Sequence, residues 1–288
     1  MKFDFIAAEN ALQQFEVSFM CRELEVSKSG FYAYLKRGIG DREREDLALV
    51  PLIHAEFKRH KRGCGSRMVR GALRVKGIAV GRKRISRLMS EEKLKHRLKR
   101  RFVRTTISNP GRAAAPNVLE RAFEVGEPNK VWASDITYIH TLTGWAYLAV
   151  VLDLGSRKVV GWQVGNSMEE PLVLGALKQA LLQRRPSAGL IHHSDRGTQY
   201  TAHAYQQLLA EHEMIPSMSR RGDCWDNACV ESFFSTLKRE LPNDHVFEGW
   251  REVERAVFAY VDAHYNTQRP HSALGYRTPN EYEELRAA

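Results

Sequence analysis

Cysteine is scarce: the chain has four in 288 residues. Neither the spacing of Cys21, Cys64, Cys224 and Cys229 nor the histidines near them matches a zinc site. No disulfide framework is expected, and Cys224 and Cys229 read as reduced packing residues at a helix start. Long apolar runs are also missing. No stretch approaches the roughly 18 residues of a membrane span, and the start, MKFDFIAAEN, is not a signal peptide. A soluble, cytoplasmic protein without membrane contact is the expectation. No heptad run is visible, so no coiled coil is expected. Acids nearly vanish from one stretch. Residues 57 to 104 hold 19 Lys and Arg against two acids, so +17 of the total +10 sits there and about −7 elsewhere. Such a cluster can neutralise many phosphates, which makes nucleic acid the leading partner. The apolar face of a membrane-surface helix is weak here.

What is present falls into segments. The 43% hydrophobic content supports one good core plus smaller modules. Residues 1–40 read as a helix-turn-helix-like region: two short helices between Ala7 and Gly38, with Ser27 or Ser29 capping the second. A plain helical hairpin fits the same pattern. Residues 41–105 read as a basic helical DNA-binding domain. Its first helix, Asp41 to Arg59, would turn Leu47, Val50, Ile53 and Phe57 inward. SRMVRGALRVKG follows, with Met68, Val69, Ala72 and Leu73 inward and Arg67 and Arg70 available to DNA. GRKRISRLMSEEKL then buries Ile85, Leu88 and Met89 and turns Arg82, Lys83, Arg84 and Arg87 outward, suited to a major groove. The basic run with Lys99, Arg100 and Arg101 leads into a Pro-containing linker, 106–122, that would follow a nucleic-acid backbone.

From 123 to 245 the texture changes. VWASDITYIHT alternates and is rich in β-branched and aromatic residues, so it is a strand. WAYLAVVLDL and KVVGWQVG continue an antiparallel meander. A helix over Glu169–Arg185, a short strand ending at Asp195, a helix over Thr201–Met214 and the strand IPSMS complete the order. Asp226 would cap a last helix whose Val230, Phe233, Phe234 and Leu237 form an apolar face. Strand, strand, strand, helix, strand, helix, strand, helix is the order of the α/β ribonuclease-H-like fold. Residues 246–288 read as a helical extension.

Three carboxylates stand out. Asp135 lies in the first strand, Asp195 ends the fourth, and Glu231 sits on the last helix with Lys238 two turns on. In that fold they converge, and converging carboxylates repel unless hard divalent cations lie between them. Two such ions can serve an in-line displacement at phosphorus. Asp153 is a turn cap or an accessory group. Of His192 and His193, one should face the core and one the site.

ASDITYI, HHSDRGTQY, the 35 residues between Asp195 and Glu231, and Lys238 resemble the DDE motif of transposases and retroviral integrases. DNACVESFFSTLKRE and YNTQRPHSALGYRTP, with FMCRELEVSKSGFYAYLKR near the start, are similar to the downstream-frame (OrfB) transposase of IS-three-family bacterial insertion sequences. The resemblance spans essentially the whole chain. It implies a retroviral-integrase-like core and a magnesium-dependent DNA transposase, with manganese able to substitute and two ions per site. It also implies cleavage at the element's terminal inverted repeats and 3′-hydroxyl transfer to target DNA. Asp135, Asp195 and Glu231 match the metal-binding triad, and Lys238 the basic residue that contacts DNA near the reacting end. Gln199, Trp225, Asn227 and Arg269 are further candidates for DNA contact, with a core plug the equal alternative for Trp225 and helix-end packing the alternative for Arg269. A homo-oligomer holding two ends is expected, as is a possible fusion with an upstream-frame (OrfA) product. A structure-selective nuclease and a non-catalytic DNA-binding regulator are the other readings.

Overall fold

The computed structural model describes residues 2–12, 15–36, 40–60, 63–95, 115–119, 125–219, 227–241 and 246–287. By its internal contacts the chain divides into two units, 1–53 and 54–288. The first unit holds α1 (Lys2–Ala11), α2 (Val17–Glu23), α3 (Lys28–Lys36) and the start of α4 (Asp41–Arg59). Ile6, Met20, Cys21 and Phe31 form its small core. Ser27 is the cap of α3, its Oγ accepting from Gly30 N at 3.0 Å. The helix α1 adds a third member to the expected pair, and Leu47 of α4 is 58% exposed rather than inward.

In the second unit, α5 (Ser66–Val75) and α6 (Arg82–Glu91) follow the end of α4. Val69, Ala72 and Leu73 of α5 and Ile85, Leu88 and Met89 of α6 are buried, as the helical spacing predicts, while Met68 is only half-buried at the border of the apolar face. The sheet comprises β1 (Val131–Thr141), β2 (Gly144–Asp153), β3 (Val159–Gly165), β4 (Ile191–Ser194) and β5 (Ile215–Met218). Its order is β3-β2-β1-β4-β5, with the first three strands antiparallel and β4 parallel to both β1 and β5. That is the ribonuclease-H-like arrangement. Short turns can join the antiparallel strands, whereas the parallel pairs need helical crossovers. The helices α7 (Glu170–Arg184) and α8 (His203–Glu211) supply these.

Helices cover both faces. Trp132, Ala149 and Val151 pack against α7 and α8, while Ala133, Leu148 and Val150 pack against α9 (Ala228–Glu240) and α10 (Trp250–Tyr260). A Cβ at Gly161 would stand 2.1 Å from the Ala176 carbonyl oxygen, so α7 lies directly on β3 only because that side chain is missing. The last residues of the expected linker already belong to the sheet domain: Val118 N donates to Ser217 Oγ at 3.0 Å, and Leu119 is buried in the core.

After α10 the chain makes one wide π turn (Val261–Tyr265) and reaches α11 (Pro279–Ala287). Asn266 seals the outer edge of β3 like a short extra strand. Its Oδ1 accepts from Val159 N at 3.0 Å and its Nδ2 donates to Val159 O at 2.9 Å. Tyr276 lies flat against α5, where a Cβ on Gly71 would come within 2.0 Å of its ring. The C-terminal extension therefore grips both the sheet and the basic helices.

Candidate active site

Asp135 sits mid-strand, just beyond the point where β1 stops pairing with β4 at Ala133. Its Oδ1 accepts from Ile136 N at 2.8 Å. Asp195 follows β4 directly, and its Oδ1 accepts from Gly197 N at 2.8 Å. Both are partly buried, Asp135 just past the last β1–β4 pair and Asp195 just past the end of β4. Glu231 stands on the exposed face of α9, in line with Lys238, while Val230, Phe233, Phe234 and Leu237 face the core. The start of α9 is tied to β1 by Asn227, whose Nδ2 donates to the Ser134 carbonyl at 3.1 Å. One hydrogen bond thus sets the helix bearing Glu231 against the strand bearing Asp135.

The electrostatics record the convergence. Burial raises the Asp135 carboxyl well above the usual range, and the charges of Asp195 and Glu231 push it further, with Lys238 opposing. Burial also raises Asp195 and Glu231. It lowers the Lys238 ammonium, which the Asp135 charge in turn supports. Among the described residues no three His, Cys, Asp or Glu side chains are arranged as a closed ligand set for one ion. The donors are nevertheless of the right kind. A magnesium site commonly uses one or two carboxylates and completes its shell with water and phosphate oxygens.

The histidines differ from expectation. Neither faces the site, because β4 is a central strand covered on both sides. His192 meets Ser134 Oγ at 3.0 Å and Tyr205 OH at 3.1 Å, and burial drops it to about 3, so it is neutral. His193 lies between Ser217 and Ser219 at 2.9 and 3.1 Å. Asp153 is a buried turn cap, accepting from Gly155, Ser156 and Asn129 backbone N–H groups.

Other candidates are scattered. Gln199 donates to the Met168 carbonyl at 2.8 Å beside a 590 Å³ open cavity. Arg269 turns inward onto Glu240, with both oxygens at 3.1 Å. Arg67, Arg70, Arg82 and Lys83 are exposed, Arg84 is half-buried, and Arg87 reaches Glu91 at 2.9 Å. Lys99, Arg100, Arg101, Trp225, Cys224 and Asp226 lie outside the described residues.

A buried polar group went unforeseen because its members are far apart in sequence. Glu240, at the end of α9, takes Arg269, Tyr260 OH at 2.9 Å and His264 at 3.7 Å. His264 meets His60 edge-on at 5.8 Å between centroids, and His60 stands 3.4 Å from Glu56, which Lys76 also pairs.

Family models cover most of the chain. An HTH-like domain matches residues 43–102, and integrase core domain models match 126–224 and 212–279. The transposase InsF of insertion sequence IS3A from Escherichia coli K12 is 38% identical over 100% of both chains. The chain belongs to the IS3-type insertion-sequence transposases. A 31 kDa protein of insertion element IS600 from Shigella sonnei is 40% identical over 92% of this chain and 97% of its own. The catalytic core of BIV integrase is 23% identical over 55% of this chain and 97% of that one, with a TM-score of 0.41. The HTLV-2 integrase core in complex with magnesium gives 18%, covering 54% and 96%, with a TM-score of 0.41. The fold of this IS3-type transposase rests on its strand order and the family models instead.

Proposed function

We propose that this IS3-type transposase cuts DNA at the ends of its insertion sequence and joins the freed 3′-hydroxyl to a second phosphodiester, using Asp135, Asp195 and Glu231. The chain is a DDE-type polynucleotidyl transferase by family, and a core of this type uses divalent metal. The observation that supports the residue assignment is the charge that Asp195 and Glu231 exert on Asp135, where β1 stops pairing with β4.

In the first reaction water attacks phosphorus, the P–O3′ bond breaks, and a 3′-hydroxyl and a 5′-phosphate result. In the second, that 3′-oxygen attacks another phosphodiester, and one P–O bond is exchanged for another. No protein nucleophile is required. Magnesium, or manganese in its place, would be held by Asp135, Asp195 and Glu231 as two ions that supply charge neutralisation at the attacking and leaving oxygens. Asp135 would contribute from within β1, Asp195 from the end of β4, and Glu231 from a helix tied to β1 by Asn227. Lys238, on the same stripe of α9, would hold the phosphate next to the reacting one. The exposed cations of α5 and α6 are the surface offered to the terminal repeat, with Arg82 and Lys83 at the start of α6. Holding two ends calls for more than one copy, and an upstream-frame product could add recognition that this chain lacks.

The test combines purified protein, Mg²⁺ or Mn²⁺ and labelled DNA carrying the element's ends. Cleaved and joined products are expected. Nicking without joining would indicate a structure-selective nuclease, and a bound but intact duplex a regulator; either would overturn the proposal.

A further inference from the structure

The β1–β2 hairpin carries an aromatic group that no step above uses. Tyr138, His140 and Trp145 share one face, since Tyr138 is opposite Tyr147 and His140 opposite Trp145 in the antiparallel register. The Tyr138 and Trp145 rings meet edge-on with centroids 4.9 Å apart, and His140 meets Trp145 at 5.1 Å. A cluster of this size is ordinarily core. This one is on the surface: Trp145 is 49% exposed and Leu142, at the hairpin tip, 71%.

Its position is informative. The Lys238 ammonium lies 4.8 Å from the centre of the Tyr138 ring, and that same ammonium acts on the Asp135 carboxylate. Beside β1, pairing with β4 ends at Ala133 and the next bridge is Thr141 with Phe247. Between those points no strand lies along that edge among the described residues. Asp135 and Tyr138 face opposite sides of β1, and the Lys238 ammonium reaches both across this edge.

We propose that Tyr138 and Trp145 form a stacking platform for an unpaired nucleotide of the DNA strand that continues from the reacting phosphodiester. The inference rests on the carboxylate site proposed above. The occupant follows from the chemistry. Aromatic faces next to a cation suit a base attached to a phosphate, and stacking tolerates any base. A fully paired duplex hides its base faces, so only nucleotides splayed out of the helix can use the platform. Lys238 joins the two functions, holding a phosphate between the carboxylates and the rings.

The experiment uses the full chain without metal, so that DNA stays intact. The probe is a duplex carrying the element end with a short single-stranded extension that contains 2-aminopurine. Binding should quench the probe. Trp145→Leu and Tyr138→Leu, which keep apolar volume but cannot stack, should remove the quench and weaken binding to the extended DNA about ten-fold or more. Binding to fully paired DNA should be unaffected, and Trp145→Phe should restore the quench. Equal losses on both DNAs, or a quench that survives the double variant, would overturn the platform. Circular dichroism of each variant separates these results from misfolding. Wild-type cleavage with Mg²⁺ is measured in parallel. If it occurs while the platform fails, only this inference falls; if it does not occur, the carboxylate reading falls as well.

Discussion

Neutralising a carboxylate at the site should stabilise the metal-free protein. Asp135 is partly buried, and burial together with the charges of Asp195 and Glu231 raises it well above its ordinary range. Its folded-state pKa therefore exceeds its unfolded value, so the native state binds this proton more tightly. Stability is highest below the unfolded pKa and falls as pH rises toward the folded one. At neutral pH the ionised cluster is a cost. Like unit charges within several ångströms of each other repel by about a few kcal/mol at an effective dielectric near 20, and Lys238 offsets part of it. We expect Asp135→Asn to add about 1–3 kcal/mol, which for a domain of this size raises Tm by roughly 2–10 °C. Wild type should in turn gain from Mg²⁺, by about 2.7 kcal/mol at a hundred-fold excess over Kd, and the variant should not. Calorimetry at neutral pH with and without the ion measures both. A variant less stable than wild type in EDTA, or equally stabilised by Mg²⁺, would refute the reasoning.

Further outcomes follow from packing and pairing. Gly71→Ala would gain about 1 kcal/mol of helix propensity in an exposed helix. Here its Cβ meets the Tyr276 ring, so thermal melting should show a loss instead. Glu56 is held at about 2, first by the His60 ring 3.4 Å away and then by Lys76, from an ordinary 4.5. Its roughly 3 kcal/mol is fully present above pH 4.5 and fades as pH falls toward 2. Acid titration of Glu56→Gln should lack that component. Asn227→Ala leaves the Ser134 carbonyl without its donor, at about 1–3 kcal/mol. Because the bond seats α9, strand transfer should fall more than DNA binding does.

Much of the catalytic domain was legible in the sequence. The first strand, Val131–Thr141, announced itself by alternation and β-branched residues, and the last helix by Val230, Phe233, Phe234 and Leu237 at helical spacing. The strand that carries Asp135, the strand that Asp195 follows and the helix that carries Glu231 were each legible from local pattern. Residues 2–11 were not read as a full helix, since only Ile6 is buried and the pattern is correspondingly weak. Alternation also misled at His192 and His193. It assumes one wet face, and a central strand between two helical layers has none. The Glu240–Arg269 pair, the Gly71–Tyr276 contact and the Asn227 tie join residues far apart in sequence. No local pattern records such contacts.

The most direct test of the central claim is Glu231→Gln, assayed on labelled element ends with Mg²⁺ for products and by gel shift for binding. Cleavage and joining should disappear while affinity for the ends stays near wild type, because the exposed cations of α5 and α6 are untouched. Residual cleavage at the wild-type rate, or loss of binding together with chemistry, would contradict it.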